Sequence, residues 1–216
     1  MIHFESVTKT YRAQNVRKLI LDGVTFTFED KHNIAIMGQN GAGKSTLMRM
    51  LAGSELPTSG RVHRDEKVSW PMGFSAGFNG AMTGIENTRF VARIYNEDTE
   101  TVLAKVQSFA ELGESFALPI STYSNGMKAR LAFGLSLAIN FDCYLIDEII
   151  SVGDDRFKKK SEAALKGKIH HSRVIVISHS EKTIRDYCDD GVLLYAGKLY
   201  YYDNLDSLIL DYRKFC

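Results

Sequence analysis

The sequence predicts an α/β fold, and three observations carry that prediction. An apolar stretch at residues 33–37 leads into a glycine-rich turn and then into a helix that begins near Ser45. Apolar strand-like segments and helical segments alternate again from Cys143 to Tyr187, which is the βαβ pattern of a parallel sheet. Between these two portions, residues 86–140 have mostly helical periodicity. We therefore expect a parallel sheet built from two separated parts of the chain, with helices inserted between them.

The remaining elements follow from local pattern. Residues 2–7 and 19–28 are predicted as strands, and Val24–Phe28 alternates as a half-buried strand should. Pro57–Gly60 is a turn, and a strand is expected near residues 61–70. The later predictions are helices at 87–95, 99–112, 126–139, 155–168 and 181–187, strands at 143–147 and 174–178, a hairpin of 191–194 and 198–202, and a last helix capped by Asn204.

Length and composition bound the class of protein. A chain of 216 residues fits one domain, and 44% hydrophobic with 25% charged residues is ordinary for a soluble protein. The net charge of +1 gives no reason to expect a nucleic-acid partner. No apolar run has the length of a membrane span and the start does not read as a signal peptide, so we expect a cytosolic chain. Three dispersed cysteines (Cys143, Cys188 and Cys216) argue against a disulfide framework or a zinc site, and Cys143 is expected in the core.

The glycine-rich turn is the most informative segment. Gly38–Ser45 reads Gly-Gln-Asn-Gly-Ala-Gly-Lys-Ser and fits the phosphate-binding pattern G-x-x-x-x-G-K-[ST]. A strand, a glycine turn and a helix start aim backbone N–H groups and the positive end of the helix dipole at one point. Lys44 would then reach the β- and γ-phosphates, and Ser45 would place its hydroxyl on Mg²⁺. A chance glycine turn is the alternative, but the flanking strand and helix favour nucleotide binding.

Other candidate residues follow apolar strands or begin a helix. Asp147 and Glu148 end the strand at 143–147, where they would face Mg²⁺ and the attacking water. His179 ends the strand at 174–178, although a lone histidine is more often a structural residue. Ser124 reads as the N-cap of the helix at 126–139, and such a helix start is also a potential anion site.

Taken together, these residues resemble the nucleotide-binding subunit of an ABC transporter. Ser124–Met127 looks like that family's signature loop, Asp147-Glu148 like its second Walker motif, and Ser151–Asp154 like its D-loop. His179 resembles its switch histidine, and Tyr11 matches the aromatic residue that stacks on adenine, although an aromatic near a strand end is usually a core residue.

The resemblance implies a fold, a cofactor and a partner. The fold is a P-loop NTPase nucleotide-binding domain, a single domain over 1–216, with an antiparallel β subdomain and an inserted α-helical subdomain at approximately 80–140. The signature loop of one copy closes on the ATP held by another, so a homodimer with two ATP molecules is expected. Lys44, Glu148 and His179 are the implied catalytic residues, and Ser45, Asn79 and Asp147 the implied Mg²⁺ ligands. The implied nucleotide contacts are Tyr11, Gly38, Gln39, Asn40, Gly41, Ala42, Gly43, Lys44, Ser45, Thr46, Asn79 and Asp147, with Ser124 and Gly126 acting in trans.

A narrower resemblance comes from residues 69–84, 89–95 and 109–113. These look like the ATP-binding subunits of capsular polysaccharide exporters of Gram-negative bacteria, of the polysialic-acid type. Related O-antigen exporters typically append a carbohydrate-binding domain, whereas only 216 − 179 = 37 residues follow His179 here. The family usually has glutamine in its Q-loop, where this chain has Asn79; we assign the role to Asn79.

The expected function is that of an ATPase subunit that powers capsular polysaccharide export. It would sit peripherally on the cytoplasmic face of the inner membrane and contact a transmembrane permease, which handles the polysaccharide, through the face near residues 73–95. Trp70, Phe74 and Phe78 would suit that contact if exposed, and a core role is equally open. The alternatives are export of another surface glycan such as O-antigen, a soluble ABC ATPase in DNA repair or translation, and an ATP-binding switch without turnover.

Overall fold

The computed structural model describes residues 1–13, 16–29, 31–72, 77–147, 155–169 and 172–216. These residues form two compact units: Met1–Pro71 with Phe141–Glu148 and His171–Cys216, and Met72–Asn140 with Ile149–His170. The strands are β1 (Ile2–Ala13), β2 (Val16–Phe28), β3 (Ile34–Met37), β4 (Ser59–Arg64), β5 (Val68–Pro71), β6 (Cys143–Asp147), β7 (Arg173–Ile177), β8 (Asp190–Tyr195) and β9 (Lys198–Tyr202). The α-helices are α1 (Lys44–Leu51), α2 (Gly84–Ile94), α3 (Thr99–Ala110), α4 (Asn125–Ala138), α5 (Asp155–Ile169), α6 (Glu181–Tyr187) and α7 (Leu205–Phe215), and short 3₁₀ helices span Gly113–Ala117 and Ile120–Thr122.

Two sheets organise the first unit. Three antiparallel strands have the order β2-β1-β4, and a six-stranded sheet has the order β5-β6-β7-β3-β8-β9. In the larger sheet the pairings from β5 to β8 are parallel, and β9 returns antiparallel to β8. The predicted α/β class with a parallel sheet is confirmed.

The parallel sheet determines where the candidate residues lie. Strands β6, β7 and β3 are neighbours, and they end at Asp147, Ile177 and Met37. Strands β3 and β7 are wholly buried, as their near-continuous apolar sequences predict for a sheet covered on both faces. Because parallel strands end at one edge, the phosphate loop, Asp147 and the segment after β7 meet there.

The second unit is built mainly from helices. Thr83 begins α2 with a capping box, in which its hydroxyl accepts from Glu86 N and the Glu86 carboxylate accepts from Thr83 N. Phe109 of α3 packs against Phe133 of α4 and Phe157 of α5, with ring centroids 5.9 and 5.4 Å apart. These aromatic contacts join three helices into one small core.

One strand prediction was wrong. Residues 61–70 do not form one strand: β4 belongs to the antiparallel sheet beside β1, and β5 to the parallel sheet beside β6. The three charged residues 65–67 separate the two strands. Lys67 N donates to the Asp142 carboxylate at 2.7 Å, which turns the chain towards β6.

Cys143 is fully buried, as expected of a core residue, and burial raises the pKa of its thiol to about 12.

Among the described residues, none of the helices combines the length and the apolar character that a bilayer crossing requires.

Candidate nucleotide-binding site

The phosphate loop joins β3 to α1, and its glycines are required by geometry. Gly41 and Gly43 have φ values of +80° and +109°, in the left-handed region that favours glycine. A β-carbon on Gly43 would lie 2.2 Å from Ile20 Cγ2 of β2, and one on Gly38 would lie 2.6 Å from the Leu194 carbonyl oxygen. Only glycine therefore fits at these two positions without displacing the Ile20 side chain, for Gly43, or the backbone of β8, for Gly38.

Lys44 begins α1 and folds back over the loop. Its ammonium nitrogen donates to the carbonyl oxygens of Gly38 at 2.7 Å and Gln39 at 3.1 Å. The side chain is 9% exposed. These two carbonyl bonds hold a buried cation above the loop, next to the N–H groups that begin α1.

A cleft of about 330 Å³ opens over the loop. It gathers residues from β1, β2, the phosphate loop, α1 and the ends of β6 and β7, all within the first unit. Its volume falls in the range of small-molecule sites. The lining residues are Tyr11, Lys18, Ile20, Asn40, Gly41, Gly43, Lys44, Ser45, Thr46, Asp147, Ile177 and His179.

Most of the residues that the sequence suggested for this half of the site line the cleft. They supply a cation, hydroxyl groups, a carboxylate, an imidazole and an aromatic ring. A nucleotide with a bound metal ion needs such groups, for its phosphates, its metal ion and its nucleobase. Ser45 and Asp147 offer the hard oxygen atoms that Mg²⁺ prefers. The residues present therefore fit both a nucleotide and Mg²⁺.

Tyr11 is held at the cleft by its hydroxyl group. Its oxygen lies 3.2 Å from Thr46 Oγ1, accepts from Arg49 at 3.2 Å and donates to the Glu55 carboxylate. Lys9 Nζ lies 5.0 Å from the centroid of the ring. The Tyr11 residue is 38% exposed and lines the cleft, so the side chain is anchored at its hydroxyl end while the residue stays partly accessible.

Glu55 anchors this arrangement. Burial alone raises its pKa, but hydrogen bonds from Lys9, Tyr11 and Arg49 outweigh that effect and lower the pKa to about 2. Lys9 Nζ lies 2.6 Å and Arg49 Nε 2.8 Å from its carboxylate oxygens. The carboxylate is therefore charged at neutral pH and accepts the Tyr11 hydroxyl proton.

His179 lies two residues beyond the end of β7. Its Nδ1 is 3.1 Å from the Tyr212 hydroxyl oxygen of α7. The following residue, Ser180, caps α6 by accepting from Thr183 N. Glu148 and the segment 151–154, assigned above as catalytic carboxylate and D-loop, lie outside the described residues.

Asn79, Ser124 and Gly126 belong to the second unit. The Asn79 side-chain oxygen accepts from Ala81 N at 3.0 Å, and its backbone N–H donates to Asn87 Oδ1 at 3.0 Å. This is an Asx-type turn, the role that asparagine commonly has in loops. Asn79 is exposed, and its assignment to the Q-loop stays a prediction.

The signature residues lie at the start of α4. The Ser124 hydroxyl accepts from Met127 N at 3.2 Å, so Ser124 is the N-cap that the sequence predicted. Ser124 and Gly126 are both exposed. A β-carbon on Gly126 would have the Ser124 hydroxyl at 3.8 Å as its nearest neighbour, so this helix start is open.

Lys18 is a cleft residue that sequence reasoning missed. In the β1–β2 register it stands opposite Tyr11, and its ammonium nitrogen would be 3.6 Å from a β-carbon on Gly41. The predicted second strand began at residue 19, one residue too late to include it. The signal that could have found Lys18 was the antiparallel pairing of this strand with the strand that carries Tyr11.

Comparison with known proteins agrees with this geometry. A family model described as "ABC transporter" matches residues 21–151. The capsule polysaccharide export ATP-binding protein CtrD of Neisseria meningitidis is 45% identical over 207 residues, covering 96% of each chain. The polysialic acid transport ATP-binding protein KpsT of Escherichia coli is 45% identical over 217 residues, covering 99% of each.

A solved structure supports the fold. An ATP-binding cassette, described as dimeric, in a post-hydrolysis state and bound to ADP and Pi, superposes with a TM-score of 0.75. The match covers 94% of this chain and 99% of that one at 22% identity, a level at which the likeness concerns fold alone.

Proposed function

The chain belongs to the ABC transporter family, and we propose that it is the ATP-hydrolysing subunit of a transporter that exports capsular polysaccharide. The observation that carries this proposal is the 45% identity, over nearly the whole chain, to capsule polysaccharide and polysialic acid transport ATP-binding proteins. The cleft over the phosphate loop supports ATP as the source of energy.

Each side chain of the cleft has a chemical role in this proposal. Lys44 exchanges its contacts with the loop carbonyls for the β- and γ-phosphate oxygens, and Tyr11 stacks on adenine. Ser45 and Asp147 hold Mg²⁺, which neutralises charge on the phosphates. Glu148 polarises the attacking water, and His179 contacts the terminal phosphate.

The second half of each site comes from another copy. Ser124 and Gly126 lie at an exposed helix start, where backbone N–H groups can meet phosphate oxygens. We infer a homodimer in which these residues act in trans on the nucleotide bound beside the partner's phosphate loop. In this proposal the two compact units together form one ATP-binding domain over residues 1–216.

A membrane permease is the other proposed partner. Phe90 and Ile94 are 52% and 60% exposed on α2, within the face expected to contact the permease. Trp70 is half-buried and packs edge-on against Phe141, with ring centroids 5.3 Å apart, so it contributes to the interior. The subunit is then peripheral on the cytoplasmic side of the inner membrane, and the polysaccharide crosses through the permease.

Genetic complementation tests the transport role. Deletion of the gene should remove surface capsule and leave polymer inside the cell, measured with a capsule-specific antibody on intact and lysed cells. Wild-type protein should restore export, and Lys44→Ala made at equal level should not. Normal capsule with loss of a different surface glycan would identify another substrate, and no change in any surface glycan would contradict transport.

Subunit mixing tests the trans assignment. Ser124→Arg should leave ATP binding by dilute monomer unchanged and abolish hydrolysis by the dimer. Mixing Ser124→Arg with Lys44→Ala subunits creates one site with both an intact Lys44 and an intact Ser124, so part of the turnover should return. A mixture that forms no nucleotide-driven dimer and stays inactive would contradict the composite site.

A further inference from the structure

The last helix, α7, is fixed firmly to the edge of the parallel sheet that carries the cleft. Leu208 is fully buried and Ile209 is 4% exposed, so one face of α7 is part of the core. A β-carbon on Gly191 of β8 would lie 2.1 Å from Leu208 Cδ2, which leaves no room for any side chain there. The helix thus packs directly on the backbone of β8.

Polar contacts also hold α7 in position. Arg213 binds the Glu181 carboxylate at 2.5 Å and Asp206 binds Arg185 at 2.5 Å, both joining α7 to α6. The Tyr202 hydroxyl donates to Asp211 at 2.8 Å from β9. Because α6 begins two residues after His179, these contacts bind α7 to the segment that carries the histidine.

The end of α7 reaches residues of the nucleotide site. The Tyr212 hydroxyl oxygen lies 3.1 Å from His179 Nδ1, and the two ring centroids are 6.3 Å apart. One turn later, the Phe215 carbonyl accepts from Gln39 Nε2 of the phosphate loop at 2.9 Å. Two segments of the site are therefore hydrogen-bonded to one rigid helix.

We propose that Tyr212 is a positioning residue that sets the tautomer and orientation of His179. This proposal rests on the role of His179 at the terminal phosphate proposed above. A neutral imidazole carries one N–H donor and one acceptor nitrogen. When Tyr212 donates its hydroxyl proton to Nδ1, the ring proton resides on Nε2, which can then donate to a phosphate oxygen.

The chemistry parallels a general rule for functional histidines. The hydrogen bond made by one ring nitrogen decides which proton the other presents. Here the partner of Nδ1 is Tyr212, which lies on a helix that packs on the sheet, so the imidazole is oriented before nucleotide binds. Without the Tyr212 hydroxyl, the donor from α7 that favours the Nε2–H form is lost, and part of the population presents an unprotonated Nε2 to the phosphate.

Nitrogen NMR of the histidines tests the hydrogen bond directly. The chain of 216 residues, labelled with ¹⁵N-histidine, has six histidines, and His179→Gln identifies the resonances of His179. In the wild type at pH 8 we expect His179 as the Nε2–H tautomer. Tyr212→Phe should move its Nδ1 resonance downfield, because a pyridine-type nitrogen that loses a donor is deshielded. An Nδ1–H tautomer in the wild type, or no shift in Tyr212→Phe, would overturn the proposal.

Tyr202→Phe is the matched control. It also removes one tyrosine hydroxyl that anchors α7, but that hydroxyl bonds Asp211 and not His179. The control should leave the His179 resonances and ATP turnover unchanged. Equal effects of the two variants would mean that docking of α7, and not the tautomer, is what matters, and would overturn the assignment.

Turnover by the assembled transporter in membranes gives the second readout. Tyr212→Phe should lower kcat by about 3- to 10-fold, as expected for one lost hydrogen bond, with KM for ATP within about twofold of wild type. In a His179→Ala background the same change should have no further effect. A drop of equal size in that background would show that Tyr212 does not act through His179.

The two possible failures are distinguishable. If His179→Ala itself turns over at the wild-type rate, the histidine has no role in the reaction, and the positioning proposal falls with the proposed role. If His179→Ala turns over more slowly than the wild type but Tyr212→Phe leaves the Nδ1 resonance and kcat unchanged, only Tyr212 is removed from the site.

Discussion

Replacing Gly43 by alanine probes the point where the phosphate loop is pressed against β2. Gly43 has φ of +109°, and an added β-carbon would lie 2.2 Å from Ile20 Cγ2. Ile20 is 3% exposed, so this branched methyl group can move only by giving up packing contacts with its neighbours. Gly41 provides a matched control in the same loop: its φ is +80°, and the nearest atom to an added β-carbon is the flexible Lys18 ammonium at 3.6 Å.

Two contributions add to the loss in free energy of unfolding that Gly43→Ala causes. A left-handed backbone conformation costs an alanine about 1–2 kcal/mol relative to glycine at either position. The overlap with Ile20 adds about 1–3 kcal/mol at Gly43 alone, the usual range for overpacking a core. For a chain of this size, 1 kcal/mol lowers the unfolding midpoint by about 2–4 °C, so Gly43→Ala should unfold about 2–12 °C below Gly41→Ala.

Thermal unfolding followed by circular dichroism measures the difference. The Ile20→Ala background supplies the decisive comparison, because it removes the methyl group that the new β-carbon meets. In the Ile20→Ala background, the drop in unfolding midpoint caused by Gly43→Ala should shrink towards the drop caused by Gly41→Ala. Equal midpoints for the two glycine variants in the wild-type background, or an undiminished gap with Ile20→Ala, would refute the reasoning.

Three side chains of the proposed site give further predictions. Lys44→Ala removes a charge-assisted bond to phosphate and should weaken ATP binding by about 10- to 150-fold in calorimetry, with the fold retained; unchanged affinity would contradict it. Glu148→Gln keeps the shape of the side chain but loses the base, so an ATP-bound dimer should accumulate in size-exclusion chromatography with Mg-ATP; a monomer that hydrolyses ATP normally would contradict that role. Asn79→Ala should lose export by the intact transporter while Asn79→Gln keeps it, and wild-type export by both would remove Asn79 from the site.

The sequence was most informative where function depends on local spacing. The glycines and Lys44 occupy fixed positions within eight consecutive residues, and a strand followed by a helix leaves one arrangement for such a loop. Asp147 and His179 could also be placed, because each follows an apolar strand and parallel strands end at one edge. Strand ends are properties of short segments, so the sequence alone indicates them.

Residues that depend on register or on distant packing were not predictable in this way. Lys18 enters the cleft because β1 pairs with β2 so that it stands opposite Tyr11, and residues 2–7 alone gave no sign of that pairing. Tyr212 lies 33 residues after His179 in the sequence, and the two meet only because α7 folds back on β8. The split of 61–70 has the same origin, since β4 and β5 are distinguished by their partners and not by their own composition.

The position of Lys44 bears on how the cleft receives an anion. A buried ammonium group must be hydrogen-bonded, and in this chain the carbonyl oxygens of Gly38 and Gln39 accept from it at 2.7 and 3.1 Å. These two bonds therefore offset part of the cost of removing this charge from water before nucleotide binds. Phosphate oxygens carry negative charge, so a bound nucleotide would add a charge–charge attraction that the carbonyl oxygens do not provide. For this reason Lys44→Ala should affect nucleotide affinity far more than the stability of the loop, which Gly43 and Ile20 already hold in shape.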